Sequence, residues 1–225
     1  MTQRFFVTGT DTGVGKTQVS AALLQLMAAR ELRPFAFKPY ESGGSLEASD
    51  SVRLQRAAGG HQPLSTVCCY RFNAPLAPMM AARLERKRTS WARVLRTFAS
   101  FEGAGVVEGA GGVQVPLDAR HDVIDLIAAL GAPVVLVARA GLGTVNHTSL
   151  TLQALERRGL EVAALVLMQA TRSPDHSVKY NRAELTRRFP GLPIAGPIPY
   201  LPAPERLARE LRARLSALRP FNALR

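Results

Sequence analysis

The sequence predicts an α/β fold, a doubly wound and mostly parallel sheet with helices on both faces. Six short apolar runs are continuous rather than alternating, as strands covered on both faces require. Helical patterns lie between them, so strand and helix alternate along the chain. The polar, glycine-containing segments follow the strands, at the carboxyl ends where ligands collect in such sheets.

In chain order, Arg4 to Thr8 is the first predicted strand. Gly15 to Arg30 follows as a helix, with Val19, Leu23, Leu24 and Met27 on one stripe. Phe35 to Lys38 is the second strand. Gly43 to Gly103 is the longest interval without a clear strand; it holds Asp50, with Ser49 as its candidate helix cap, and the proline-marked turn NAPLAPMM. Gly105 to Glu108 reads as a buried strand ending in an acid, followed by flexible backbone. Val123 to Ala140 is apolar but broken by Asp125, Gly131 and Pro133. It reads as a helix end followed by a strand at Pro133 to Ala138, not as a membrane span. Thr144 to Arg158 and Asp175 to Arg188 are helical, and Glu161 to Met168 and Pro193 to Ile198 are the last strands.

The 225 residues suit one domain, 1–225, with no repeat and no linker. Apolar residues make up 47% and charged residues 20%, a globular composition. The net charge of +12 comes from 29 Lys and Arg against 17 Asp and Glu. Most of the arginines scatter along helical stretches such as Ala81 to Arg96 and Glu205 to Arg219, as on solvated helix faces, so no nucleic-acid partner is expected. Phe5 to Val7 is too short for a secretory apolar region, and the expected location is cytoplasmic. Cys68 and Cys69 are adjacent, which suits neither a structural disulfide nor a zinc site.

The segment VTGTDTGVGKT almost spells the phosphate-binding pattern G-x-x-x-x-G-K-[ST], but Thr10 stands where the first glycine belongs and Gly9 lies one residue earlier. A phosphate loop needs backbone N–H groups that converge on oxyanions, a lysine for the terminal phosphates and a hydroxyl for magnesium. Gly13 and Gly15 supply the turn, Lys16 the charge and Thr17 the hydroxyl. The strand before and the helix after give the context that a P-loop NTPase-like three-layer sandwich requires. Magnesium also takes carboxylates, for which Glu108 is placed at the end of a strand. Lys38, ending the second strand, would rise into the same crevice and neutralise charge developing in phosphoryl transfer. Ser42 follows on the turn, where it can hydrogen-bond a polar substrate. No covalent nucleophile stands out, and His147 in the helix opening GTVNHTSL reads as structural.

Taken together, VTGTDTGVGKT, KPYESG, VEGAGG and GLGTVNHTSLT occur in the order and approximate spacing of dethiobiotin synthetases, and the resemblance runs on to GPIPYL. It implies an ATP- and Mg²⁺-dependent ligase that closes a ureido ring on 7,8-diaminononanoate with CO₂, through a carbamate and a mixed carbamic–phosphoric anhydride. By the same resemblance Thr12, Gly13, Val14, Gly15, Lys16, Thr17 and Gln18 would hold the triphosphate. Lys38 would be the catalytic lysine beside Lys16, and Thr17, Asp50 and Glu108 would bind the metal. Gly109, Ala110 and Gly111 would line the crevice beside them. Ser42 would contact the diamine, and Thr144, Val145 and Asn146 would seat its carboxylate for the other subunit of a homodimer.

The chain departs from the family at three points. Gly13 replaces an acid found in some members, Gln169 stands near the usual base-binding asparagine, and the family's substrate-reaching tyrosine aligns with Asn181 or, one residue off, Tyr180. A regulatory or partitioning P-loop ATPase is the main alternative. Such proteins usually carry a lysine near Asp11 and lack KPxxSG. Amide-forming domains of cobalamin-pathway amidotransferases share the loop but need a further glutamine-hydrolysing domain.

Overall fold

The first strand, β1 (Arg4–Gly9), carries buried side chains from Phe5 onward because both faces of its sheet are covered, and successive residues feed opposite cores. The structure, a computed structural model, describes residues 3–47, 49–173, 175–219 and 221. The first half of the chain runs β1 (Arg4–Gly9), α1 (Lys16–Ala28), β2 (Phe35–Phe37), β3 (Tyr40–Ser42), α2 (Asp50–Ala57), α3 (Leu64–Val67), β4 (Tyr70–Phe72), α4 (Pro78–Leu84) and α5 (Trp91–Ala99). The second half runs β5 (Gly105–Gly112), α6 (Val123–Leu130), β6 (Val134–Arg139), α7 (Thr144–Arg157), β7 (Val162–Met168), α8 (Val178–Arg188), β8 (Ile194–Ile198) and α9 (Pro204–Ser216).

The main sheet has the order β2-β5-β1-β6-β7-β8, and all its pairings are parallel. Growth from β1 goes to one side through β2 and β5, then crosses to the other through β6. The crevice of a doubly wound sheet opens at such a reversal, here above the carboxyl end of β1. Phe6 points into the core shared with Phe37, Leu126 and Leu165. Val7 points into the opposite core, with Leu23, Met27 and Leu211. Val19, Leu23, Leu24 and Met27 of α1 are all fully buried, so the predicted stripe is the one that packs.

The structure revises three expectations. Within Gly43 to Gly103, β4 pairs in parallel with β3, a two-stranded sheet apart from the main one. β5 does not stop at Glu108 but continues to Gly112, because the following glycines stay alongside β1 and Gly9 pairs with Gly112 after a register shift. Ala81 to Arg96 is not one helix. The chain breaks after Leu84, Arg86 has φ 52, and α5 restarts on Ser90, whose side chain accepts from the Arg93 N–H at 3.3 Å. Arg83, Arg93, Arg96, Arg206, Arg209 and Arg214 of these stretches are exposed, as expected of solvated faces, whereas Arg212 is half-buried and donates to Gln25 Oε1. Among the described residues no helix is long and apolar enough to cross a membrane.

Candidate active site

The loop between β1 and α1 explains the displaced glycine. A Cβ at Gly9 would lie 2.8 Å from Val14 Cγ2 and 2.9 Å from the Asp11 carbonyl oxygen, so no side chain fits there. Thr10 is only half-buried, and its side chain is accommodated. Gly15 caps α1 with φ 103, a left-handed conformation that L side chains rarely adopt. Lys16 folds back so that its ammonium donates to the Asp11 carbonyl at 2.8 Å. Burial lowers its pKa to about 8, against the opposing pull of Glu108. Asp11 itself accepts from the Thr12 N–H at 2.7 Å and from Arg139 at 2.9 Å, a clasp on the outer end of the loop.

Four elements bring a charged cluster together beneath this loop. Lys38 follows β2, and its Nζ donates to Glu108 Oε1 at 2.5 Å and to Asp50 Oδ2 at 3.0 Å. The Thr17 hydroxyl, in the first turn of α1, donates to the same Glu108 oxygen at 2.9 Å. Asp50 opens α2, and the Ser49 side chain caps that helix by accepting from the Val52 N–H. Burial alone would lower the Lys38 pKa, but the Glu108 and Asp50 carboxylates more than offset it and hold the lysine charged.

Glu108 is fully buried, and its Oε2 has no hydrogen-bond partner. An orphaned carboxylate oxygen is costly unless something else binds it. Together with Asp50 and the Thr17 hydroxyl it forms an all-oxygen donor set, the chemistry that a hard cation such as Mg²⁺ prefers. Among the described residues no three His, Cys, Asp or Glu side chains cluster as a metal cage.

Two clefts flank the phosphate loop and share Gly13, Gly15, Thr17 and Gln18 as a common wall. One, of about 510 Å³, is bounded by Lys38, Ser42, Asp50 and the segment Pro75 to Pro78, and also meets Thr12, Ala110 and Gly111. The other, of about 560 Å³, is bounded by Val14, Gln169, Tyr200 and Leu207. Phosphates seated on the shared wall can therefore face a base on one side and a second substrate on the other.

Some expected residues lie elsewhere. Gly109 lines neither cleft, because strand alternation turns it away from Glu108, and a Cβ there would meet Phe6 and Val123 at 3.0 and 3.1 Å. Thr144, Val145 and Asn146 form the first turn of α7, and they line neither cleft of their own chain. Leu142, just before them, is 87% exposed. His147 is exposed and outside the buried core. Tyr180 points to solvent, whereas Asn181 is buried and its amide donates to the carbonyls of Ala140 and Gly141 at 2.8 and 3.0 Å. Asn181 thus ties down the turn before α7. Gln169 does reach the second cleft, where its Oε1 accepts from the Tyr200 N–H at 3.3 Å.

The sequence reading missed two polar groups. Arg139 is one. Glu41 is the other, a buried acid whose carboxylate accepts four hydrogen bonds from residues 49–51. Its only sequence signal is its place inside KPYESG.

Comparison with known proteins finds relatives along most of the chain. The family model described as AAA domain matches residues 3–206. An ATP-dependent dethiobiotin synthetase of Anaeromyxobacter dehalogenans is 51% identical over 216 residues, which cover 94% of this chain and 96% of that protein. The Bacillus subtilis enzyme of the same name is 37% identical over 209 residues, 88% of this chain and 87% of that one. Among solved structures, a nucleotide-binding protein of Archaeoglobus fulgidus in complex with ADP aligns with a TM-score of 0.51 at 14% identity, over 99% of this chain and 92% of that one. At that identity it speaks for the fold alone.

Proposed function

This chain belongs to the family of ATP-dependent dethiobiotin synthetases, and from that premise we propose how its residues divide the work. The chain is an ATP-dependent ligase of biotin biosynthesis. The single observation that carries the finer reading is the shared wall: the loop that can cradle a triphosphate separates a base-sized cleft from one floored by Lys38.

In this reading Gly13 to Gln18 hold the triphosphate of ATP by backbone N–H groups at the start of α1, with Lys16 released from the Asp11 carbonyl to reach the terminal phosphates. Thr17, Asp50 and Glu108 would hold Mg²⁺, which supplies charge neutralisation on the phosphate oxygens. 7,8-Diaminononanoate lies in the cleft with Ser42. One of its amines and CO₂ form a carbamate, whose oxygen attacks the γ-phosphorus as ADP leaves. The second amine then attacks the carbamoyl carbon of the mixed anhydride, and phosphate departs as the ureido ring closes. Lys38 stays charged beside the reacting oxygens, the protonation state that stabilises negative charge developing there. No covalent step on the protein is needed, and positioning carries most of the rate.

The far carboxylate of the diamine would rest on the N–H groups at the first turn of α7 in a second copy of the chain. The placement of Thr144, Val145 and Asn146 outside both clefts of their own chain, beside the exposed Leu142, supports this shared-site homodimer. Phosphate release measured with diamine, bicarbonate and ATP, each omitted in turn, tests the reading. Release that continues at the full rate without the diamine would reject it.

A further inference from the structure

We infer that Glu41 is a positioning residue that sets where Asp50 stands relative to Glu108, and thereby how strongly the site takes up Mg²⁺. This rests on the reading of Asp50 as a metal-binding acid. Glu41 is only 5% exposed, and its side chain is aimed at the start of α2. Its Oε1 accepts from the Asp50 N–H at 2.7 Å. Its Oε2 accepts from the Ser51 N–H at 3.3 Å, the Ser49 hydroxyl at 3.1 Å and the Ser51 hydroxyl at 2.5 Å. A buried carboxylate is tolerated here because every contact is a donor and because it faces the positive end of a helix.

Lys38, three residues before Glu41, holds the Asp50 carboxylate at 3.0 Å, while Glu41 holds the Asp50 backbone. One short segment thus grips Asp50 at both ends. α2 is anchored by the buried Ser51 and Leu54 and by the Ser49 cap, and the grip of Glu41 falls on its first turn, where Asp50 stands. Glutamine has the same shape as glutamate but cannot substitute. Its NH₂ must face either the Asp50 N–H or the Ser51 N–H; the serine hydroxyls can turn to accept, but a backbone donor opposes a donor either way. The first turn of α2 should then shift and take Asp50 with it.

The test is calorimetric titration of ATP into the protein at a series of Mg²⁺ concentrations and in EDTA, with thermal melting as a check on folding. In Glu41→Gln the Mg²⁺ concentration that half-maximally enhances ATP binding should rise about tenfold, the usual effect of disturbing a group that orients a metal ligand. Affinity for ATP in EDTA should change by less than about twofold, because the phosphate loop is untouched. Ser51→Ala removes one donor and should give a smaller shift in the same direction, which keeps the test alive if Glu41→Gln does not fold. Equal losses with and without Mg²⁺ would overturn the inference, since they would mark a merely structural role. If Asp50→Asn raises the Mg²⁺ requirement and neither Glu41→Gln nor Ser51→Ala does, the inference alone falls. If Asp50→Asn leaves the requirement unchanged, the metal reading falls and takes the inference with it.

Discussion

Lys38 and Glu108 form an ion pair at 2.5 Å, and their side chains are 6% and 0% exposed. Asp50, the second partner of the lysine, is 36% exposed and faces the cleft. One lysine therefore neutralises a wholly buried acid and presents its charge near the cleft at the same time.

That double duty separates stability from turnover. Removing one member of a buried pair leaves the other charge uncompensated, at a cost of about 3–5 kcal/mol. Lys38→Met should lose roughly that much stability in urea unfolding, and adding Glu108→Gln should return most of it. Turnover should fall by about 10²–10³ in both variants, as when a stabilising group is removed from a developing anion. ATP affinity should fall far less, because Lys16 and the loop remain. A Lys38→Met protein as stable as the parent, or with near-normal turnover, would contradict the assignment.

The two cysteines give a prediction about chemical reactivity. Burial pushes the Cys68 thiol up to about 12, and the nearby Glu41 carboxylate acts in the same direction. Burial raises the Cys69 thiol too. Thiols react as thiolates, so at pH 8 the folded chain should resist iodoacetamide at both positions. Unfolding in urea should expose both to rapid labelling. Folding favours the neutral Cys68 thiol, so its contribution to stability is complete below about pH 9 and is lost as pH rises toward 12. Mass spectrometry of labelled native protein decides the matter, and rapid modification of Cys68 would refute it.

What could be read from the sequence depended on how locally each feature is encoded. Lys16 and Thr17 are legible because a phosphate loop packs its chemistry into adjacent residues with a strand before and a helix after. Lys38 and Glu108 were legible as strand ends that open on one crevice, whereas Asp50 lies in a separate helix that no spacing rule ties to them, so it joined the group by resemblance alone. The six main strands were legible as continuous apolar runs. β4 was not, because three residues carry no period, and its partner β3 lies beyond two helices. Glycines misled at the end of β5, where Gly109 to Gly112 look like loop but stay alongside β1. Glu41 was missed because its role lies entirely in partners that only the fold supplies.

Nucleotide choice can be predicted from Gln169. With its Oε1 accepting from the Tyr200 N–H, the amide NH₂ remains to donate into the second cleft. Adenine, guanine and cytosine all offer ring acceptors to a single donor. Strong discrimination needs buried polar groups that the wrong base leaves unpaired, and one half-buried amide gives little of that. CTP and GTP should therefore support measurable turnover. Comparing kcat/KM for the four nucleotides, in the parent and in Gln169→Asn, tests this. Strict ATP dependence that is unaltered by the substitution would show that Gln169 does not set the preference.

Asn146 lines neither of the two clefts beside the phosphate loop that carries Lys16. If the first turn of α7 serves the neighbouring subunit, an active site takes Lys16 from one chain and Asn146 from the other. A Lys16→Ala variant and an Asn146→Trp variant, the latter blocking the carboxylate seat, should each be nearly inactive. After subunit exchange, every mixed dimer has one site with both lesions and one with neither. Random pairing makes about half of the dimers mixed, so roughly a quarter of all sites should recover. Sites built within a single chain would each keep one lesion, and mixing would restore nothing. Mass spectrometry of isotopically distinct chains verifies exchange independently. Absence of recovery with exchange complete would rule out the shared site.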